Sequence, residues 1–130
     1  MPPPTWIHHI SLSVTDADRS AAWYRRVLGV EDAGRRDGTM WQRVLLQGGN
    51  FILSFTAHSQ TQPIDTFDPE RVGLDHVGIG CRDRDELLAW VRHIDDLGIT
   101  RSDIIEAPHA VLFTCPDPDG IPLEFYWFID

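Results

Sequence analysis

The chain has 130 residues, of which 42% are hydrophobic, and its 20 acidic and 11 basic residues give a formal net charge of −9. This length suits one domain that buries a core of its own without disulfides or a structural metal. The negative charge disfavours a nucleic-acid backbone or an anionic membrane surface as a partner.

The chain opens without a basic stretch or an apolar targeting segment, and none of its apolar runs is long enough to cross a membrane. We therefore predict a soluble, cytoplasmic protein. The first predicted strand covers residues 7–14, where polar and apolar residues alternate. Because strand side chains alternate between faces, His9 and Ser11 share a polar face opposite the apolar residues.

A helix is predicted after this strand, with Thr15 or Asp16 as its N-terminal cap and Gly29 at its C-terminal end. Two apolar runs then predict strands, at residues 41–46 and 51–55. These signals define a first module over about residues 6–56.

Residues 57–72 show no sustained periodicity, and we interpret them as a linker. The same order of signals then recurs over about residues 73–128, which we predict to be a second module. It opens with a strand at residues 74–81, in which His76 shares a face with two glycines.

The second helix is predicted from Asp83 and Glu86, which resemble a capping box, and it ends at Gly98. Two further apolar runs predict strands, at residues 110–114 and 121–128. The repeated unit predicts an α+β fold within a single domain, residues 1–130. In this fold, two paired βαβββ modules form a curved, partly closed mixed sheet around a central cavity.

Three side chains lie on equivalent strand faces of this predicted fold: His9, His76 and Glu124. A carboxylate in an apolar strand is costly to bury unless a cation or strong hydrogen-bond donors compensate it. Two imidazoles and one carboxylate form a facial triad that leaves coordination positions open for a substrate. We therefore predict that these residues bind a divalent metal ion, with Fe²⁺ or Mn²⁺ favoured and Zn²⁺ or Ni²⁺ as alternatives.

Four segments together resemble the vicinal oxygen chelate superfamily, which includes glyoxalases, bleomycin-resistance proteins and extradiol dioxygenases. They are residues 9–14, 23–29, 76–79 and 117–126. The resemblance spans nearly the whole chain and implies a homodimer, with metal ligands on the first and last strands of each module. At one of those positions Ser54 stands where glyoxalase I has a carboxylate, which disfavours ordinary glyoxalase I activity.

Further candidates surround this predicted metal site. Glu124, Tyr126 and His109 are the candidate catalytic residues, although Tyr126 is equally consistent with packing and His109 with an exposed loop. The candidate substrate-pocket residues are Ser11, Arg43, Ser54 and Phe113. Arg43 is also consistent with an outward salt bridge, and Phe113 with the core.

Two functions follow from these residues and from the resemblance. The first is a metal-dependent enzyme, dioxygenase-like or lyase- or isomerase-like, acting on a small molecule that chelates through vicinal oxygens. The second is a metal-free dimeric protein that resembles bleomycin-resistance proteins and sequesters a cationic or aromatic small molecule. The two cysteines show no metal-site spacing, so we predict buried, reduced thiols.

Overall fold

A computed structural model describes residue 1, residue 3 and residues 6–129. The chain divides into two compact units, Met1–Asp65 and Thr66–Asp130. Within the described residues, each unit consists of one helix and one four-stranded sheet.

The first unit contains, in chain order, β1 (His9–Ser13), α1 (Ala17–Leu28), β2 (Glu31–Asp37), β3 (Trp41–Gln47) and β4 (Ile52–His58). Its sheet has the strand order β1-β4-β3-β2, with β1 parallel to β4 and the other neighbours antiparallel. The helix covers one face of this sheet, where the rings of Tyr24 and Phe55 lie 4.6 Å apart. The opposite face carries the polar residues of β1, as the alternation predicts.

The second unit contains β5 (Val77–Cys81), α2 (Arg84–Asp96), β6 (Ile105–Ala107), β7 (Ala110–Pro116) and β8 (Pro122–Phe128). Its strand order is β5-β8-β7-β6, again with only the first pair parallel. Aromatic packing holds α2 against the sheet, since the Trp90 ring of the helix lies 4.9 Å from Phe125 of β8, which stacks 4.8 Å from the Phe113 ring of β7. The two units therefore repeat one topology, which confirms the predicted α+β class and its βαβββ repeat.

Both helices begin at residues that the sequence identifies, and α1 also ends at the predicted Gly29, whereas the cap that ends α2 is Leu97, one residue before the predicted Gly98. Asp16 caps α1 by accepting a backbone N–H of the first turn, and Gly29 ends it in the left-handed conformation at φ 66°. Asp83 caps α2 by accepting the N–H of Glu86 at 2.8 Å. The Glu86 carboxylate accepts the backbone N–H of Arg82, so the reciprocal bond falls one residue before the one that a capping box makes.

Two edge strands carry no sequence signal of the kind used above. β2 is exposed along its whole length, with a register shift between Asp32 and Gly34, and β6 has only three residues. A charged, irregular edge strand is a common protection against pairing with other chains. Because these two strands bury little apolar surface, the hydrophobic pattern of the sequence does not predict them.

Neither four-stranded sheet is closed, because each has two edge strands. Cys81 and Cys115 are free and buried, as predicted. Burial raises the pKa of each thiol to about 11. No helix within the described residues is long and apolar enough to span a membrane.

Candidate metal and ligand site

The second unit brings two of the predicted metal ligands together. His76 immediately precedes β5, and Glu124 lies on β8, opposite Gly78 in the parallel β5–β8 ladder. The His76 Nε2 atom is 3.7 Å from the Glu124 Oε1 atom. The Glu124 side chain is 20% exposed and the His76 side chain 43% exposed, so both reach a surface that a ligand can approach.

The other imidazole nitrogen of His76 is held by an acid. His76 Nδ1 lies 2.6 Å from Asp75 Oδ1, and this hydrogen bond is the largest cause of a raised His76 pKa. The charges of Glu124 and Asp75 also raise that pKa, while partial burial lowers it. With Nδ1 engaged, Nε2 is the nitrogen directed towards Glu124. Metal-binding histidines commonly have this arrangement, in which a carboxylate holds the nitrogen that the metal does not use.

The sheet face that carries Glu124 is open beside it. Tyr126 shares this face, whereas Leu123 and Phe125 of β8 are buried on the other side, where Phe125 packs on Trp90 of α2. On the neighbouring strand, Gly78 and Gly80 lie opposite Glu124 and Tyr126. A methyl group added at either glycine would meet no atom of the described residues within 4 Å beyond its chain neighbours. Glycine within a strand often marks close approach by a ligand.

The third predicted ligand, His9, belongs to the first unit and lies on the exposed polar face of β1. Its Nδ1 atom is 2.9 Å from Nδ1 of His8, which leaves Nε2 as the nitrogen for another partner. Within residues 1, 3 and 6–129, no three His, Cys, Asp or Glu side chains converge as a metal-binding group. The site with three ligands therefore stays a prediction. Of its three residues, the structure brings His76 and Glu124 together.

Three predicted pocket residues lie on the polar face of the first sheet. Ser11 and Ser54 are register partners in the β1–β4 ladder, and Ser54 is buried. Arg43 donates from Nε to Thr56 Oγ1 at 2.8 Å, and this oxygen lies 3.2 Å from Ser11 Oγ. Arg43 is therefore held by a neighbouring strand and not by an outward salt bridge within the described residues.

The structure does not bring His109 or Phe113 to Glu124. His109 lies in the turn between β6 and β7 beside Ile129, about 16 Å along the strand direction from Glu124. Phe113 is fully buried on the helix-facing side of its sheet. Asp75 is the contributor that the sequence reasoning missed, and an acid directly before a predicted histidine ligand was the available signal.

A separate cavity of about 310 Å³ opens on the helix side of the first sheet. Its lining residues are Asp18, Ala21, Arg25, Asp32, Gly34, Arg35 and Val44. The four charged members already pair with one another, Arg25 with Asp32 and Arg35 with Asp18. Because those charges are satisfied, this cavity is a weaker candidate than the open face beside Glu124.

Comparison with known proteins adds a family and a fold. The sequence model of the Glyoxalase/Bleomycin resistance protein/Dioxygenase superfamily matches residues 6–125. The uncharacterized protein YaeR of Escherichia coli (strain K12) is 30% identical over 125 residues, which cover 92% of this chain and 94% of YaeR.

Two solved structures illustrate the shared fold. The glyoxylase/bleomycin resistance protein/dioxygenase domain from Frankia sp. EAN1pec has a TM-score of 0.88 at 24% identity, over 97% of this chain and 99% of that one. The fosfomycin resistance protein FosX from Listeria monocytogenes, complexed with Mn(II) and sulfate, has a TM-score of 0.70 at 12% identity, over 97% and 93% of the two chains. At these identities the likeness shows the fold alone.

Proposed function

The chain belongs to the Glyoxalase/Bleomycin resistance protein/Dioxygenase superfamily, and from this premise we propose that it is a metal-dependent enzyme. Its substrate is a small molecule that chelates through two adjacent oxygen atoms, and its metal ligands are His9, His76 and Glu124. The ion supplies Lewis acidity or, if it is iron, dioxygen chemistry, so that the reaction is of the lyase, isomerase or dioxygenase type. We favour Mn²⁺ or Fe²⁺, and FosX, which shares the fold, was crystallised with Mn(II).

The observation that carries this proposal is the 3.7 Å separation between His76 Nε2 and Glu124 Oε1. Ligand atoms bind such ions at about 2.1 Å, so two donors on one ion lie about 3 to 3.5 Å apart. A side-chain movement of less than about 1 Å would bring the pair to that spacing. The spacing of the His76–Glu124 pair therefore fits a divalent ion, and a third ligand would still leave coordination positions free for the substrate.

Asp75 supports the same reading. Its hydrogen bond to His76 Nδ1 fixes the orientation of the ring and keeps Nε2 directed at Glu124. Loss of such an outer carboxylate commonly weakens metal affinity by about 10- to 100-fold. We therefore assign Asp75 the role of positioning His76.

The open face beside Glu124 is where we place the substrate. Tyr126 is on that face and would donate a hydrogen bond from its hydroxyl to a substrate oxygen. Gly78 and Gly80 leave the adjacent space empty. Replacing Gly80 with valine should fill this space and block substrate binding, while leaving metal binding within about twofold of the wild type.

Metal binding tests the proposal directly. Protein stripped with EDTA and reloaded anaerobically with Fe(II) or Mn(II) should bind about one metal ion per chain, as measured by elemental analysis and calorimetry. His76→Ala and Glu124→Gln should lose it, and Asp75→Asn should weaken binding by about 10- to 100-fold. His93→Ala, on the other side of the second unit's sheet in α2, is the matched control and should bind as the wild type does.

The proposal fails if the wild type takes up no stoichiometric metal, or if His76→Ala binds as tightly as His93→Ala. Activity is then sought on the loaded protein with catechols and with α-hydroxy and α-keto carbonyl compounds. Turnover that depends on the metal and is lost in Glu124→Gln would establish that the protein is a metal-dependent enzyme.

The second candidate function is a metal-free binding protein that sequesters a cationic or aromatic compound. The net charge of −9 favours a cationic ligand. Calorimetry with metal-free bleomycin in the presence of EDTA separates the two functions, because tight binding without any metal uptake would support sequestration.

We also propose that the protein is a homodimer. Three large apolar side chains around the start of β1 are exposed, Trp6 by 78%, Ile7 by 76% and Ile10 by 37%. Contiguous exposed apolar groups commonly mark an interface. Sedimentation should give twice the 14.8 kDa of one chain, and Trp6→Glu should shift the protein towards the monomer.

A further inference from the structure

Two arginines lie directly opposite each other on the first sheet. Arg36 of β2 and Arg43 of β3 are register partners in an antiparallel ladder, so their side chains share a face. The preceding residue, Arg35, reaches Asp18 of α1 at 2.8 Å and thus points to the helix side. Arg36 and Arg43 therefore occupy the opposite, polar face, and like charges directly opposite each other destabilise a sheet.

Neither of these guanidinium groups pairs with an acid within the described residues. Six other arginines form ion pairs with Asp or Glu: Arg25, Arg35, Arg71, Arg82, Arg84 and Arg101. Arg36 instead donates to the backbone carbonyl of Arg35 at 2.7 Å. The chain has 20 acidic and only 11 basic residues. Two adjacent arginines without an acidic partner are therefore unexpected from its composition.

Arg43 is held in a fixed position for binding. Its Nε donates to Thr56 Oγ1 at 2.8 Å, and Thr56 is only 2% exposed. Its guanidinium carbon lies 4.6 Å from the centre of the Trp41 ring, a stacking geometry that arginine favours. The two terminal nitrogens remain available, and because the side chain is already ordered, little further entropy is lost on binding.

We propose that Arg36 and Arg43 bind the anionic group of a small organic ligand, a carboxylate or a phosphonate, on the polar face of the first sheet. The planar fork of arginine matches either group through paired hydrogen bonds. A bound anion would also offset the repulsion between the two cations. Neither arginine is a proposed metal ligand, nor are Thr56 and Trp41, which hold Arg43, so the site does not require the metal proposed above.

An NMR titration of the full chain in EDTA tests this site with three probes: benzoate, phenylphosphonate and the uncharged benzamide. Both anions, or one of them, should shift the Arg43 Nε–H and Trp41 indole resonances, and benzamide should not. The anion that binds more tightly identifies the chemical class. Arg43→Gln and Arg36→Gln should each weaken that binding by at least about tenfold, since each removes charge-assisted hydrogen bonds.

Two variants keep the test specific. Arg92→Gln removes the same charge from an exposed position on α2 and should leave the affinity unchanged. Arg43→Lys keeps the charge but loses the fork, and should give an intermediate affinity with the wild-type circular dichroism spectrum. The inference is overturned if the anions shift these resonances no more than benzamide does, or if Arg43→Gln binds them as Arg92→Gln does.

Discussion

Replacing Asp117 with alanine should destabilise the turn that leads into β8 and thereby the strand that carries Glu124. Asp117 is 5% exposed, and its Oδ1 atom accepts the backbone N–H groups of Asp119 and Ile121, each at 2.8 Å. A hydrogen bond to a charged acceptor contributes about 1.5 to 3 kcal/mol, and a buried donor left unpaired costs about 1 to 3 kcal/mol. With partial relaxation of the turn, we expect Asp117→Ala to lose about 3 kcal/mol in the free energy of unfolding.

Asp117→Asn is the matched variant, because its amide oxygen accepts the same two N–H groups without the charge. We expect it to lose about half as much, roughly 1.5 kcal/mol. Urea unfolding followed by tryptophan fluorescence measures both, and amide hydrogen exchange at Asp119 and Ile121 reports the turn itself. Equal losses in the two variants, or a loss below about 1 kcal/mol for alanine, would show that these hydrogen bonds do not hold the turn.

Three further predictions concern stability and reactivity. Ser20 is fully buried in α1 with an unpartnered hydroxyl among the described residues, so Ser20→Ala should raise the free energy of unfolding by about 1 kcal/mol. Burial raises the pKa of the Cys81 and Cys115 thiols to about 11, so both should resist a thiol reagent at pH 8 in the folded protein and react after denaturation. Hydrogen bonds from Arg82 lower the pKa of Glu86, so the stability that wild type gains over Glu86→Gln should be full above about pH 4.3 and shrink as the pH falls further.

The Ser20 prediction has a matched control variant, and each of the other two has a result that would contradict it. Ser102 accepts the N–H of Thr114 and donates to the carbonyl of Asp103, so Ser102→Ala should destabilise the protein where Ser20→Ala stabilises it. Rapid modification of native protein at pH 8 would contradict the thiol prediction. A stability difference that stayed constant from pH 7 to about pH 3 would contradict the prediction for Glu86.

The elements that bury an apolar face could be predicted from the sequence. Along β8, Leu123 and Phe125 are fully buried while Glu124 between them is not, which is the pattern that alternation predicts. The caps at Asp16 and Gly29 also follow from local chemistry, because each residue satisfies backbone groups within one turn of itself. These features depend on neighbours in the sequence.

The contacts between strands could not be predicted in this way. β2 has no apolar pattern, and its pairing with β3, which sets Arg36 against Arg43, depends on a register that begins after a bulge. The hydrogen bond from Arg43 to Thr56 and the hydrogen bond between the Thr56 and Ser11 hydroxyls join three strands. The sequence identified Ser11 and Arg43 as candidates but not Thr56, which connects them.

By itself, then, the sequence determined the repeated module, the helix starts and the strand faces of Ser11 and Glu124, because periodicity and capping are local properties of the chain. Only the tertiary structure decided which of those candidates meet. His76 and Glu124 lie 3.7 Å apart because β5 pairs in parallel with β8, whereas His109 is carried to the far end of the same sheet by the β6–β7 turn. Strand pairing between distant segments is set by the burial of the whole sheet against its helix, and no local pattern contains that information.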